Sequence, residues 1–144
     1  MRAVNDDDLE IEDEPRQEEV AALDDRLYRH NVAVTGCGDG RWLAIFVRDA
    51  HGGLLAGLHG WTWGRTGFVR TLWVREELRG HGVGARLLAA AEREAVRRGC
   101  REMQLDTQSY QAPGFYRRCG YDQIGELPGW PSEAATRVFF RKTL

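Results

Sequence analysis

The stretch that most restricts what this chain can fold into is LWVREELRGHGVGARLL, residues 72–88. Leu72, Trp73 and Val74 end a run of strand-forming residues. A five-residue connection leads to Gly80, Gly82 and Gly84, and from Val83 onward Leu87, Leu88, Ala91 and Ala95 recur on one helical face. Few architectures place a strand, a glycine-rich turn and an amphipathic helix in that order. Glycines leave the backbone N–H groups of such a turn unobstructed at the positive end of the helix dipole, where phosphate oxygens bind. Arg79 adds a positive charge directly before the first glycine. A tight turn that merely needs left-handed glycines uses the same residues with no ligand at all.

Two common phosphate-binding classes do not fit. A nucleoside triphosphate loop needs Gly-Lys-Ser/Thr at the helix start, and here Gly84 precedes Ala85 and Arg86. A dinucleotide fingerprint begins at the strand end and spaces its third glycine one residue later than found here.

The rest of the chain reads as α+β. Met1–Asp8 is acidic and aperiodic, as expected of a disordered leader, with residues 9–144 forming a single domain. Leu9 and Ile11 alternate with glutamates, which predicts a short edge strand ending near Pro15; Val20, Leu23 and Leu27 predict a helix from Arg16 to about His30. A glycine-rich turn at Gly36–Gly40 precedes strands at Arg41–Arg48, Leu54–Trp63 and Phe68–Val74, joined by spacers short enough for antiparallel hairpins. The helix from Val83 stops at Gly99. Arg101–Thr107 follows as a half-buried strand parallel to Phe68–Val74. Ala112–Cys119 is a short helix opened by Pro113, and Tyr121–Leu127 and Thr136–Lys142 close as strands.

Composition narrows the chemistry. At 144 residues, 42% hydrophobic and 29% charged, the chain is an ordinary globular one. Its net charge of −2 hides a split: residues 1–25 carry −9 and residues 26–144 carry +7. Nineteen of the 20 basic residues are arginine, Lys142 being the exception, and arginine suits bidentate phosphate contacts. The longest apolar run is Trp42–Val47 and the N-terminus is acidic, so no membrane span or secretory signal is expected and the location predicted is cytoplasmic. Cys37, Cys100 and Cys119 are odd in number and lack metal-ligand spacing, which predicts reduced thiols and no metal site. Arg86, Arg93, Arg97 and Arg98 form a basic helix face, but no aromatic residues interleave them and the acidic leader opposes polyanions, so no nucleic-acid partner is expected.

With these residues in view, the chain resembles the GCN5-related N-acetyltransferases. That family's pyrophosphate loop reads glutamine or arginine, two free positions, glycine, one free position, then glycine or alanine. Arg79, Gly80, His81, Gly82, Val83 and Gly84 match it, five residues beyond Leu72–Val74. QAPGFYRRCGY, residues 111–121, is similar to the family's second signature, and the order of elements agrees from Leu9 to Leu144. The resemblance implies a mostly antiparallel twisted sheet of about six to seven strands flanked by helices, with a splayed central parallel pair. It implies acetyl-CoA as acyl donor and an amine as acceptor, with a homodimer as a frequent assembly. Carried over, Leu72, Trp73 and Val74 would bind pantetheine and the thioester. The backbone amides of Gly80, His81, Gly82, Val83, Gly84 and Ala85, beside Arg79, would hold the pyrophosphate. Tyr116 matches the tyrosine that serves as general acid, while the same ring also suits simple packing beside Phe115.

Departures from the pattern concern the base and the acceptor. Residues 70–74 hold no carboxylate. Glu76, Glu77 and Asp106 are the candidate bases, although Glu76 and Glu77 read first as a solvated connection and Asp106 as the partner of an arginine, and a water relay or an amine bound neutral removes the need for a base. Ser109 stands where the family often has asparagine. Trp61 and Trp63 share one strand face near Trp73 and read first as core, with lining of the acceptor cleft as the alternative; Trp130 sits in the Pro128–Pro131 loop, where a cleft or interface role is favoured. The competing function is a non-catalytic acyl-CoA-binding module.

Overall fold

The computed structural model describes residue 1 and residues 3–144. The chain divides into two units, Met1–Cys37 and Gly38–Leu144. In the first, Asp6–Asp8 forms a 3-10 turn in which the Asn5 N–H donates to the Asp8 carboxylate at 2.9 Å. The edge strand expected at Leu9–Ile11 does not form, and both side chains are exposed. Two apolar residues among carboxylates bury too little surface to offset the entropy of ordering, and no ladder partner pairs their backbone. Helix α1, Gln17–Thr35, runs more than a turn past the expected end at His30. Nothing in Asn31–Thr35 breaks it, and it stops only where Gly36 adopts φ 74° and donates its N–H to the Val32 carbonyl.

The second unit contains β1 (Arg41–Arg48), β2 (Leu54–Trp63), β3 (Thr66–Val74), α2 (Val83–Arg97), β4 (Glu102–Gln108), α3 (Pro113–Arg118), β5 (Asp122–Pro128) and β6 (Thr136–Thr143). They build a six-stranded sheet in the order β1-β2-β3-β4-β6-β5, mixed α+β as expected, with the seventh strand missing because Leu9–Ile11 stays irregular. Only β3 and β4 are parallel. Asp49 closes the β1–β2 hairpin by accepting the N–H groups of His51 and Gly53, both at 2.8 Å.

Helix α2 lays Leu87, Leu88, Ala91 and Ala95 on Leu43, Leu58, Val69, Met103 and Leu105 to make the core. Its alanines permit close approach, and Gly67 on β3 has no β-carbon because Met103 Sδ and the Ala95 Cβ occupy that space. Phe140 is fully buried, a burial that contributes about 2–3 kcal/mol. Arg98 ties the helix end to the sheet: its Nη1 donates to the Trp42 carbonyl at 2.9 Å and to Thr62 Oγ1 at 3.1 Å, while Nε pairs with Glu94 at 2.7 Å. Among the described residues no helix is long and apolar enough to cross a membrane.

Candidate active site

The central parallel pair opens partway along. Rungs join Thr66–Val69 to Glu102–Leu105 and stop there. On the other side of β3, His59 pairs with Thr71 and Gly60 with Val69, which leaves Arg70 as an extra residue, a β-bulge. A bulge bends its strand and increases local twist. From Arg70 to Val74, β3 therefore follows β2 away from β4, and both strands present unpaired backbone to the gap between them. Leu72 and Val74 turn toward the core, whereas Trp73 is exposed.

Just past that strand end lies the glycine turn. Gly80 and Gly82 both take φ 75°, and Gly82 caps α2, whose first internal bond runs from the Arg86 N–H to the Gly82 carbonyl. None of the backbone N–H groups from Gly80 to Ala85 meets an acceptor among the described residues. Gly84 serves packing instead: a β-carbon there would sit 3.3 Å from Phe115 Cζ and 3.7 Å from Leu72 Cδ2, so α2, α3 and β3 converge on it. Arg79 folds back and donates from Nε to the Val74 carbonyl at 2.9 Å, fixing its charge beside the strand end. His81 Nδ1 lies 2.9 Å from the Arg79 carbonyl, which only accepts, so Nδ1 carries the proton. The ring is committed to the loop.

Helix α3 brings Tyr116 to the same end of the sheet. Its ring packs on Phe115, Tyr121 and Phe140 at centroid distances of 5.0, 6.1 and 5.9 Å and is only 7% exposed. Burial, reinforced by the negative ends of Cys119 and Asp106, pushes its pKa up to about 12. Gln108 Oε1 alone is a buried side-chain polar atom without a partner among the described residues. The Tyr116 hydroxyl, which makes no hydrogen bond among them, thus ends at accessible surface. Packing and an available hydroxyl coexist in one side chain.

The acids divide by what they already touch. Glu76 and Glu77 lie exposed in a 3-10 turn. Asp106 is held by Arg137, whose Nε and Nη2 donate to its two oxygens at 3.0 and 2.8 Å, and the Arg137 guanidinium stacks over Trp130 and Phe139. Ser109 spends its hydroxyl accepting the Thr136 N–H at 3.0 Å. Trp61 and Trp63 are half-buried and stay out of the core: Trp61 stacks on Phe68 at 4.7 Å and meets the exposed Trp42 edge-on at 6.2 Å. The bulge shifts strand parity by one, so Trp73 shares their sheet face. Three participants escape sequence reasoning: Arg70 as the bulged residue, Gln111, and Gln108. Gln108 alternates with Asp106 along β4, a signal available in the sequence, but its burial is not.

A model of the acetyltransferase (GNAT) family matches residues 5–121. The chain is 39% identical over 106 residues to an acetyltransferase of Agrobacterium fabrum, covering 74% of this chain and 77% of that protein. It is 40% identical over 103 residues to the blasticidin-S acetyltransferase of Streptomyces morookaense, covering 69% and 74%. The crystal structure of a protein from Agrobacterium tumefaciens described as an acetyltransferase superposes with a TM-score of 0.83 at 34% identity, covering 94% of this chain and 98% of the other.

Proposed function

This chain belongs to the acetyltransferase (GNAT) family, and we propose that it moves the acetyl group of acetyl-CoA onto the primary amine of a small molecule while both substrates are bound. The observation that carries the reading is the pairing of a sheet opened at Arg70 with an adjoining turn whose amides from Gly80 to Ala85 all lack acceptors. Such donors at a helix N-terminus suit the CoA pyrophosphate, with Arg79 adding charge. Pantetheine then extends along Leu72, Trp73 and Val74 like an added strand, satisfying backbone groups that β4 leaves unpaired.

The thioester carbonyl polarises against a backbone N–H near Trp73 or Val74, which faces the oxyanion as it forms. The neutral amine attacks the carbonyl carbon. A C–N bond forms and the C–S bond breaks, the amine loses one proton to water, and the departing sulfur takes one from Tyr116. Burial keeps that hydroxyl protonated well above neutral pH, into the range where amines lose their proton and can attack. A small acceptor is supported by the relative named for blasticidin S, which this chain matches over 74% of its length.

Thiol release from acetyl-CoA in the presence of blasticidin S, thialysine or a lysine-containing peptide tests the reading. Release with a small amine exceeding that with the peptide is the expected outcome. Thermal stabilisation by CoA with no release for any amine would make the protein a binding module instead.

A further inference from the structure

The gap between β3 and β4 has two faces. On β4, Met103, Leu105 and Thr107 turn toward α2, as the Met103 contact with Gly67 and Ala95 shows. Tyr116 lies on that same side, since its ring meets Phe140, the β6 partner of Leu105. Gln104, Asp106 and Gln108 point to the opposite face. A donor whose phosphates rest at the start of α2 and whose thioester reaches the gap leaves that opposite face to the acceptor.

Of the polar side chains that β4 sends to that face, all but one are committed, Gln104 donating to Glu102 at 2.6 Å. Asp106 is bound by Arg137. Gln111 Oε1 accepts the Gln108 N–H at 2.8 Å and the Thr107 hydroxyl at 3.0 Å. The Gln108 side chain is 6% exposed, yet its Oε1 has no partner. A buried carbonyl without a donor costs stability, so this one calls for a partner from outside the chain.

We infer that Gln108 receives the acceptor: its Oε1 accepts a hydrogen bond from an N–H of the amine to be acetylated. This rests on the acetyl-transfer reading above. An acceptor atom suits the task, because it binds the amine through its hydrogen and leaves the lone pair free for the thioester, whereas a donor would compete for that lone pair. The Asp106–Arg137 pair adds no net charge beside it, which matches an amine that must be neutral when it attacks.

Two variants test the inference, Gln108→Met, of similar length without the oxygen, and Gln108→Glu, which keeps it; Gln108→Leu replaces the first if that variant does not fold. KM is measured for acetyl-CoA and for whichever of blasticidin S and thialysine the wild type turns over faster. CoA-induced thermal shifts and calorimetric binding of the same amine in the presence of CoA supply readouts independent of turnover. Gln108→Met should raise the thermal midpoint, by removing an unpaired polar atom, and weaken the amine roughly tenfold while KM for acetyl-CoA and the CoA shift hold. Gln108→Glu should lower the midpoint yet bind the amine better than Gln108→Met. A purely structural glutamine would leave the amine KM of Gln108→Met unchanged, or degrade both substrates equally, and either result overturns the assignment. Wild type that releases no thiol with any amine overturns the parent reading, and this inference falls with it.

Discussion

Gly60 on β2 passes so close to the carbonyl oxygen of Phe68 that a β-carbon at Gly60 would overlap it. The crowding arises opposite the Arg70 bulge, where β3 bends away from β4. Gly60→Ala has to push backbone rather than a side chain, so a loss of about 1–3 kcal/mol is expected in urea unfolding, together with a smaller CoA-induced thermal shift. Gly125→Ala is the control, since nothing lies within 4 Å of its added carbon, and it should be nearly neutral.

Tyr116→Phe keeps the packing on Phe140 and removes only the hydroxyl. Turnover should fall by roughly 10²-fold, with CoA binding retained in calorimetry. An unchanged rate would assign Tyr116 to packing alone.

The pH dependence follows from the same burial. With its pKa held up to about 12, Tyr116 stays protonated well beyond neutrality, so kcat should rise as the amine deprotonates and show no alkaline fall from this group below about pH 11. Stability behaves the other way. An unfolded tyrosine ionises near pH 10, below the folded value, so the folded state loses stability as pH rises from about 10 to 12. Tyr116→Phe should reduce that loss in alkaline unfolding curves.

Gly82 holds φ 75° with open space around it, so Gly82→Ala introduces backbone strain without a clash. A strain of about 1–2 kcal/mol is relieved by tilting the turn amides away from their shared direction. CoA affinity should drop about tenfold by calorimetry, and overall stability should fall by no more than the strain itself.

Lys142 binds α2, α3 and β6 together, donating to Glu92 and to the Cys119 carbonyl at the end of α3, each at 2.9 Å, while the Tyr121 hydroxyl donates to the other Glu92 oxygen at 3.0 Å. Lys142→Met leaves that carbonyl and part of the carboxylate unpaired. A cost of about 1–3 kcal/mol is expected in denaturation, and adding Glu92→Gln should recover part of it.

Elements whose signals repeat within a few residues were legible from sequence. The core face of α2 rests on Leu87, Leu88, Ala91 and Ala95, and the strands of the second unit came within a few residues of their observed ends, because periodicity is a local property. Leu9–Ile11 misled for the same reason: alternation states what a strand would look like, while pairing requires a partner the local sequence does not contain. Trp61 and Trp63 read first as core, yet which sheet face α2 covers depends on the register between strands.

By itself, the sequence determined the glycine turn from Gly80 to Gly84, its charge at Arg79, and the family the chain belongs to, since conformational freedom and free amides are properties of consecutive residues. Tertiary structure alone decided which polar groups remain unspent. Asp106 is consumed by Arg137, 31 residues away, and Gln111 turns back onto Gln108. Register across β4 and β6 sets the first outcome and the turn after β4 the second, and Gln108 Oε1 is left buried without a donor beside an opened sheet.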